Sequence, residues 1–171
     1  MKGLVLGLVL LTSCGWHQGL LVPAGGEEAR SVGVAIFDNQ SLEPDLEADF
    51  AGYLSAAVAD YVNLTLESPE HADLVVRGVV LDYRRRNGIR SRDNELLEGS
   101  ARLEVSAELV RRSDGRVLRT AQTGLWAEYP TGTPALTTPG VGELPARERL
   151  FRNLADRLIL ELFSTGDTQE P

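Results

Sequence analysis

The sequence predicts an α+β fold, a two-layer sandwich of two helices on a roughly four-stranded mixed sheet. Three observations carry that expectation. Ala101, Leu103, Val105, Ala107 and Leu109 alternate with Arg102, Glu104, Ser106 and Glu108, the period of two that marks a strand with one buried face. Two other stretches, one from Leu46 to Tyr61 and one from Leu150 to Phe163, space their apolar residues by three and four, as helices with one apolar stripe do. Ser113, Asp114 and Gly115 separate two apolar runs and predict a hairpin, because Gly tolerates positive φ and Asp bonds its own backbone. Two stripes and one apolar sheet face then bury one another in a single core.

The elements follow in order. Ser31 to Phe37 (SVGVAIF) is β-branched and ends at Asp38 and Asn39, a strand followed by a turn. A helix comes next: Pro44 suits its first turn, Glu47 and Asp49 sit near its positive end, and Leu46, Phe50, Leu54, Ala57, Val58 and Tyr61 form its stripe. Val62 to Leu66 reads equally as a strand or as the helix exit, with Pro69 ending it either way. Ala72 to Tyr83 (ADLVVRGVVLDY) starts nearly continuously apolar and then alternates, which predicts the centre of the sheet. Val117 to Trp126 is the returning arm of the hairpin. Tyr129 to Gly142 is a long loop rich in Pro, Gly and Thr. Leu150, Phe151, Leu154, Leu158, Ile159, Leu162 and Phe163 trace the last helix, which Gly166 ends. The reading is one domain over 31–165 and a disordered tail over 166–171. The sheet face carrying Arg102, Glu104, Ser106 and Glu108 is expected to be wet, or to pack inside something that is itself wet.

Composition narrows the function. A chain of 171 residues, 43% hydrophobic and 25% charged, suits one folded domain. Its net charge is −8 and its only lysine is Lys2, so no general nucleic-acid role is expected. A single cysteine, Cys14, excludes an internal disulfide and a cysteine-rich zinc site, and only His17 and His71 could add imidazole ligands. No phosphate-cradling loop with its lysine and no G-x-S-x-G elbow is present, and His71 reads as a surface-turn residue. The chain is therefore expected to be no enzyme and to need no cofactor. Two N-x-S/T patterns, Asn39 to Ser41 and Asn63 to Thr65, are short enough to arise by chance.

The front of the chain reads MKGLVLGLVLLTSC. One positive charge and an apolar run about half as long as a membrane span requires predict a signal peptide over 1–13. Leu11, Thr12 and Ser13 before Cys14 resemble the bacterial lipoprotein box. That resemblance implies lipidation of Cys14 as the first mature residue, and membrane attachment without a span. Gly15 in place of Asp after the cysteine favours the outer membrane in such proteins. Residues 14–30, with Gly15, Gly19, Pro23, Gly25 and Gly26, read as the lipidated N-terminus and its tether.

One cluster stands out: Arg84, Arg85, Arg86, Arg90 and Arg92, at the end of the central strand and the connection after it. A guanidinium fork bonds phosphate or carboxylate in two places at once, so an anionic ligand or an acidic partner loop could be held there. A solvated hairpin tip, paired with Asp93, Glu95 and Glu98, accounts for the same residues.

Four segments together resemble the LptE family of lipopolysaccharide-assembly lipoproteins: CGWH at Cys14 to His17, SVGVAIFDNQSLEPDLE at Ser31 to Glu47, HADLVVRGVVLDYRRR at His71 to Arg86, and EVSAELVRRSDGRVL at Glu104 to Leu118. The resemblance implies two helices on a four-stranded sheet and a non-enzymatic role on the periplasmic side of the outer membrane. Such a protein plugs the outer-membrane β-barrel LptD, helps it assemble, and binds lipopolysaccharide on its way to the cell surface. By position, Arg84, Arg85, Arg86, Arg90 and Arg92 would contact the phosphorylated lipid A. The acidity of the whole chain confines such contact to that patch. The competing expectation is an adaptor lipoprotein that activates a cell-wall synthase or serves a secretion channel.

Overall fold

The structure, a computed structural model, describes residues 20, 22, 25–87, 92, 93, 98–130 and 143–164, with Arg86, Asn87 and Pro130 as backbone only. The signal peptide expected over 1–13, Cys14, most of the loop expected after Tyr129 and the tail expected after Gly166 fall outside the described residues.

The element order is β1 (Ser31–Val34), β2 (Asp38–Asn39), α1 (Leu46–Tyr61), β3 (Thr65–Leu66), β4 (Leu74–Asn87), β5 (Glu98–Arg111), β6 (Val117–Pro130) and α2 (Glu143–Phe163). Strands lie in the order β3-β1-β4-β5-β6, with β2 also paired to β4. The sheet is mixed, as expected: β1, β2 and β3 pair in parallel, and β4, β5 and β6 form an antiparallel meander. Among the described residues it has six strands where the sequence predicts roughly four. The extra two, β2 and β3, are two residues each, too short to show a period of two.

Asp38 and Asn39, expected in a turn, thus extend the sheet opposite Val79 and Val80. Between β1 and β2 the chain advances four residues while β4 advances three, since Val34 faces Val76 and Asp38 faces Val79. The surplus residue frees Phe37 to turn its ring over Gly78. A Cβ added at Gly78 would lie 2.6 Å from that ring and 2.3 Å from the Ser106 carbonyl oxygen.

Both helices cover one face of the sheet. α1 packs on the β1–β4 side, while α2 lies over β5 and β6 and against α1. The expected stripes are buried: Leu46, Phe50, Leu54, Ala57 and Val58 from α1, and Leu150, Phe151, Leu154, Leu158, Ile159, Leu162 and Phe163 from α2. Aromatic rings join the layers edge to face, Phe37 to Phe50 at 5.8 Å, Phe50 to Phe151 at 5.7 Å and Tyr53 to Phe151 at 5.7 Å. β5 alternates as its sequence demands, burying Ala101, Leu103, Val105, Ala107 and Leu109.

Helix α1 starts differently from the expectation. Pro44 lies in the preceding turn, and the cap is Asp45 with φ 64°, a left-handed conformation that Asp tolerates better than most residues. Asn39 organises this approach: its amide donates to the Glu43 carbonyl (2.8 Å) and to Glu47 Oε2 (2.7 Å), and its Oδ1 accepts from the Ser41 amide (2.9 Å). The first N-x-S pattern is therefore a loop-building device. The segment after α1 resolves into both alternatives, Val62 closing the helix and Thr65–Leu66 forming β3. The hairpin turn closes through Gly115, at φ 69°, whose amide donates to the Arg111 carbonyl.

The described residues of the segment read as a tether are docked. Leu20 bridges to Val62, Leu20 and Val22 pack against the core, and the Arg30 amide donates to Asp73 at 2.8 Å. Replacing Gly78 with Ala is expected to cost about 1–3 kcal/mol, because the new methyl must displace either the Phe37 ring or the β5 backbone. Chemical denaturation compared with the parent chain measures it, and an unchanged midpoint would contradict the proposed close approach.

Candidate functional site

The arginine cluster lies at the far end of β4, and a β-bulge decides where its members go. Up to Val80 the even-numbered residues of β4 face the helices. The register slips between Val80 and Asp82, so that Tyr83 faces Leu103 and Arg85 faces Ala101, both core partners. Past Leu81 the parity is inverted. Arg85 therefore stands on the helix side, whereas Arg84 shares with Asp82 the other side, which no element among the described residues covers.

Arg85 is held by two carboxylates from distant parts of the chain. Its Nη2 donates to Glu43 in the loop before α1, and its Nε donates to Glu143 at the start of α2, each at 2.5 Å. Its guanidinium also sits 5.6 Å from the Tyr83 ring centroid. The two carboxylates raise the pKa of Arg85 further above its ordinary value, Glu143 most. A second ion pair, Arg147 to Asp49 at 3.3 Å, joins the first turns of α1 and α2. Both helix N-termini, the positive ends of their dipoles, thus meet at this end of the sheet beside the arginines.

Arg84 is 69% exposed and pairs with Asp82 at 2.6 Å. Arg86 stands opposite Ser100 in the register, Arg92 is exposed in the connection, and Arg90 lies outside the described residues. The cluster is thus divided between the two faces of the sheet.

The uncovered face holds residues that the sequence reading left as plain alternation. Arg84 lies opposite Arg102, and Arg102 opposite Trp126, in one row across three strands. The next row is Asp82, Glu104 and Gly124. Arg102 pairs with Glu104 at 2.9 Å, and its guanidinium lies 5.2 Å from the Trp126 ring centroid. Farther along, Arg77 and Glu108 pair at 2.8 Å. A register shift between Leu109 and Val110 makes a count outward from the Ser113–Gly115 turn fall one residue short of pairing Arg102 with Trp126. The bulge that aligns Arg84 with them carries no clear sequence signal.

The opposite end of β4 receives the N-terminal segment. Arg111 Nη2 donates to the Gly25 carbonyl, Arg112 Nε donates to the Ala72 carbonyl at 2.6 Å, and Gly25, Arg111 and Arg112 border a cavity of about 540 Å³ with Gly26, Glu27 and Asp73. Thirteen strand steps separate Leu74 from Asn87. At about 3.3 Å per step the arginine end therefore stands roughly 40 Å from the end where the N-terminal segment docks. His71 occupies an exposed turn at that docking end, where Nδ1 meets the Ser68 hydroxyl at 2.9 Å.

Comparison with protein families gives a match to the LptE lipopolysaccharide-assembly family over residues 29–162, from the docked N-terminal segment to the last turn of α2. The chain belongs to the LptE family. The expectation drawn from the four resembling segments is thereby met, and the chain is a lipopolysaccharide-assembly protein. Comparison with curated protein sequences returns no match.

Solved structures show the same fold. An uncharacterized lipoprotein B from Nitrosomonas europaea superposes with a TM-score of 0.58 at 10% identity, covering 89% of this chain and 97% of that one. A PelC variant from Paraburkholderia phytofirmans, a dodecamer, gives 0.52 at 17% identity, covering 86% and 94%. A Xanthomonas campestris protein gives 0.51 at 14% identity, covering 82% and 89%. At these identities the likeness is one of architecture.

The divided cluster makes two testable distinctions. Arg85→Ala in this LptE chain is expected to cost about 1–2 kcal/mol, an ion-pair loss moderated by solvent, and Arg84→Ala no more than about 0.5 kcal/mol. Equal losses in urea titrations would contradict the division. Tyr83, buried and next to Glu143, has its phenol pushed up to about 12 from 10, chiefly by burial and then by the Glu143 charge. Since the folded pKa is raised, the corresponding stability is complete below pH 10 and lost as pH rises toward 12. Unfolding free energy is expected to fall across that window, and less steeply in Tyr83→Phe; identical slopes would contradict it.

Proposed function

We propose that this chain is a lipoprotein of the outer membrane that plugs an LptD-like β-barrel, helps that barrel assemble, and binds lipopolysaccharide during its delivery to the cell surface. The observation that carries the reading is the LptE match across almost the whole described domain. The role is one of binding and assembly, without catalysis. Cys14, acylated after removal of residues 1–13, anchors the molecule to the outer membrane on its periplasmic side, and residues 14–30 connect the anchor to the domain. No helix among the described residues is long and apolar enough to cross a membrane, which suits attachment through an N-terminal lipid.

The polarity of the fold supports a division of labour. The N-terminal segment docks at one end of β4, so the anchor belongs to that end, and the arginine end projects roughly 40 Å away from it. Arg84, Arg86, Arg90 and Arg92 contact the phosphates of lipid A at the projecting end. Arg85, already engaged by Glu43 and Glu143, steadies the helix starts behind them.

The fold likeness to the PelC dodecamer lends support to a second reading, an adaptor lipoprotein serving a cell-wall synthase or a secretion channel. Gentle detergent extraction separates the two. Recovery with a large β-barrel and lipopolysaccharide is the expected result, and recovery with a peptidoglycan synthase or a multimeric pore would overturn it. Cys14→Ala should release the protein from the membrane fraction. The quadruple change of Arg84, Arg86, Arg90 and Arg92 to Ser should weaken lipopolysaccharide binding at least about tenfold while leaving thermal unfolding near the parent value. Retained affinity would return the cluster to plain solvated surface.

A further inference from the structure

The uncovered face of β4, β5 and β6 carries a pattern that hydration alone does not require. Like charges directly opposite each other on neighbouring strands are unfavourable, yet Arg84 faces Arg102 and Asp82 faces Glu104 in adjacent rows. The charges cancel along the strands instead, through Arg84 to Asp82 at 2.6 Å and Arg102 to Glu104 at 2.9 Å. Gln122 adds a donor to Glu104 at 3.2 Å. A plane with hydrogen-bond donors in one row and acceptors in the next is the result, with little net field.

Trp126 ends the arginine row. Its indole is 51% exposed although its ring lies 5.2 Å from the Arg102 guanidinium, and Gly124, two residues back on the same face, raises no side chain beside it. Arg102 Nε is buried and has no hydrogen-bond partner among the described residues.

These features select among occupants. A bare phosphate would meet Asp82 and Glu104 as well as the arginines, so the face has no preference for anions as such. A dry protein interface tends to exclude charge from its core, and this face centres on four charged side chains. A sugar ring answers to both rows: each hydroxyl donates and accepts at once, and the C–H face of the ring lies against an aromatic platform.

We propose that Trp126, Arg102 and Glu104, with Asp82 beside them, form a saccharide-binding platform for the sugar rings of the lipopolysaccharide headgroup. The proposal rests on the lipopolysaccharide reading above and adds a contact with the sugars, on residues distinct from the connection that carries Arg90 and Arg92. The sugar lies flat on the uncovered sheet with the indole beneath one ring, while phosphates are left to the arginine end.

The test uses the full-length chain in detergent with Trp16→Phe, which leaves Trp126 as the sole tryptophan. Lipid-free core oligosaccharide, inorganic phosphate and intact lipopolysaccharide are titrated separately while Trp126 emission is followed. The expected result is a saturable change with the oligosaccharide and none with phosphate. In calorimetry on the otherwise unaltered chain, Trp126→Ala and Arg102→Gln should each weaken oligosaccharide binding about tenfold, with an unchanged thermal midpoint showing that the fold is intact. If intact lipopolysaccharide binds and the oligosaccharide leaves Trp126 silent, the platform is overturned and the transport reading stands. If phosphate alone reproduces the change, the face is an anion site and the platform is overturned. If only the purified barrel alters Trp126, the face is a protein interface. If neither glycolipid nor oligosaccharide binds, the platform and the lipopolysaccharide reading fall together.

Discussion

A strand sends successive side chains to opposite faces, and among the described residues two helices cover this sheet. The whole molecule follows from spending both of them on one side. Phe37, Phe50 and Phe151 run edge to face from sheet to helices, each almost completely buried. At about 1.5–3 kcal/mol for each buried ring, this column outweighs the exposed ion pairs, which contribute about 1 kcal/mol or less apiece. The fold is therefore anchored in the aromatic layer and owes little to its many arginines.

One inserted residue then sorts them. The bulge at Leu81 turns Tyr83 and Arg85 toward the helices and Arg84 away. On the covered side, Arg85 pairs with Glu43 in the loop before α1 and with Glu143 at the start of α2, far apart in sequence, and so ties the starts of both helices to β4. On the open side, Arg84 joins Arg102 and Trp126 in a flat polar row. A single run of basic residues thus contributes to stability on one face and to recognition on the other.

Much of the architecture was legible in the chain. The alternation from Ala101 to Leu109 defined β5, the helix stripes defined both covering elements, and Asp114 with Gly115 defined the hairpin. Each is a local pattern with a strong physical signature. Elements that depend on tertiary pairing were not legible: β2 and β3 span two residues each and exist only because β4 and β1 offer them an edge. Pro44 suggested a helix start that Asp45, in a left-handed conformation, places just beyond it. The site was legible in outline only. Five arginines announced themselves by composition, but their partition depends on a bulge without a residue signature, and Arg102 and Trp126 join them only through strand register. The N-terminal segment looked like a bare tether because Leu20 and Val22 find their apolar partners only after the domain has folded.

The account places recognition on the open sheet face and its arginine end, and assigns the helix layer to support. Hydroxyl-radical footprinting of the chain, alone and within its native membrane assembly, tests that division most directly. Trp126 on the open face and Leu160 on the outer surface of α2 are both substantially exposed in the isolated protein. The account predicts that assembly shields Trp126 and leaves Leu160 reactive. Shielding of Leu160 with Trp126 still fully reactive would contradict it.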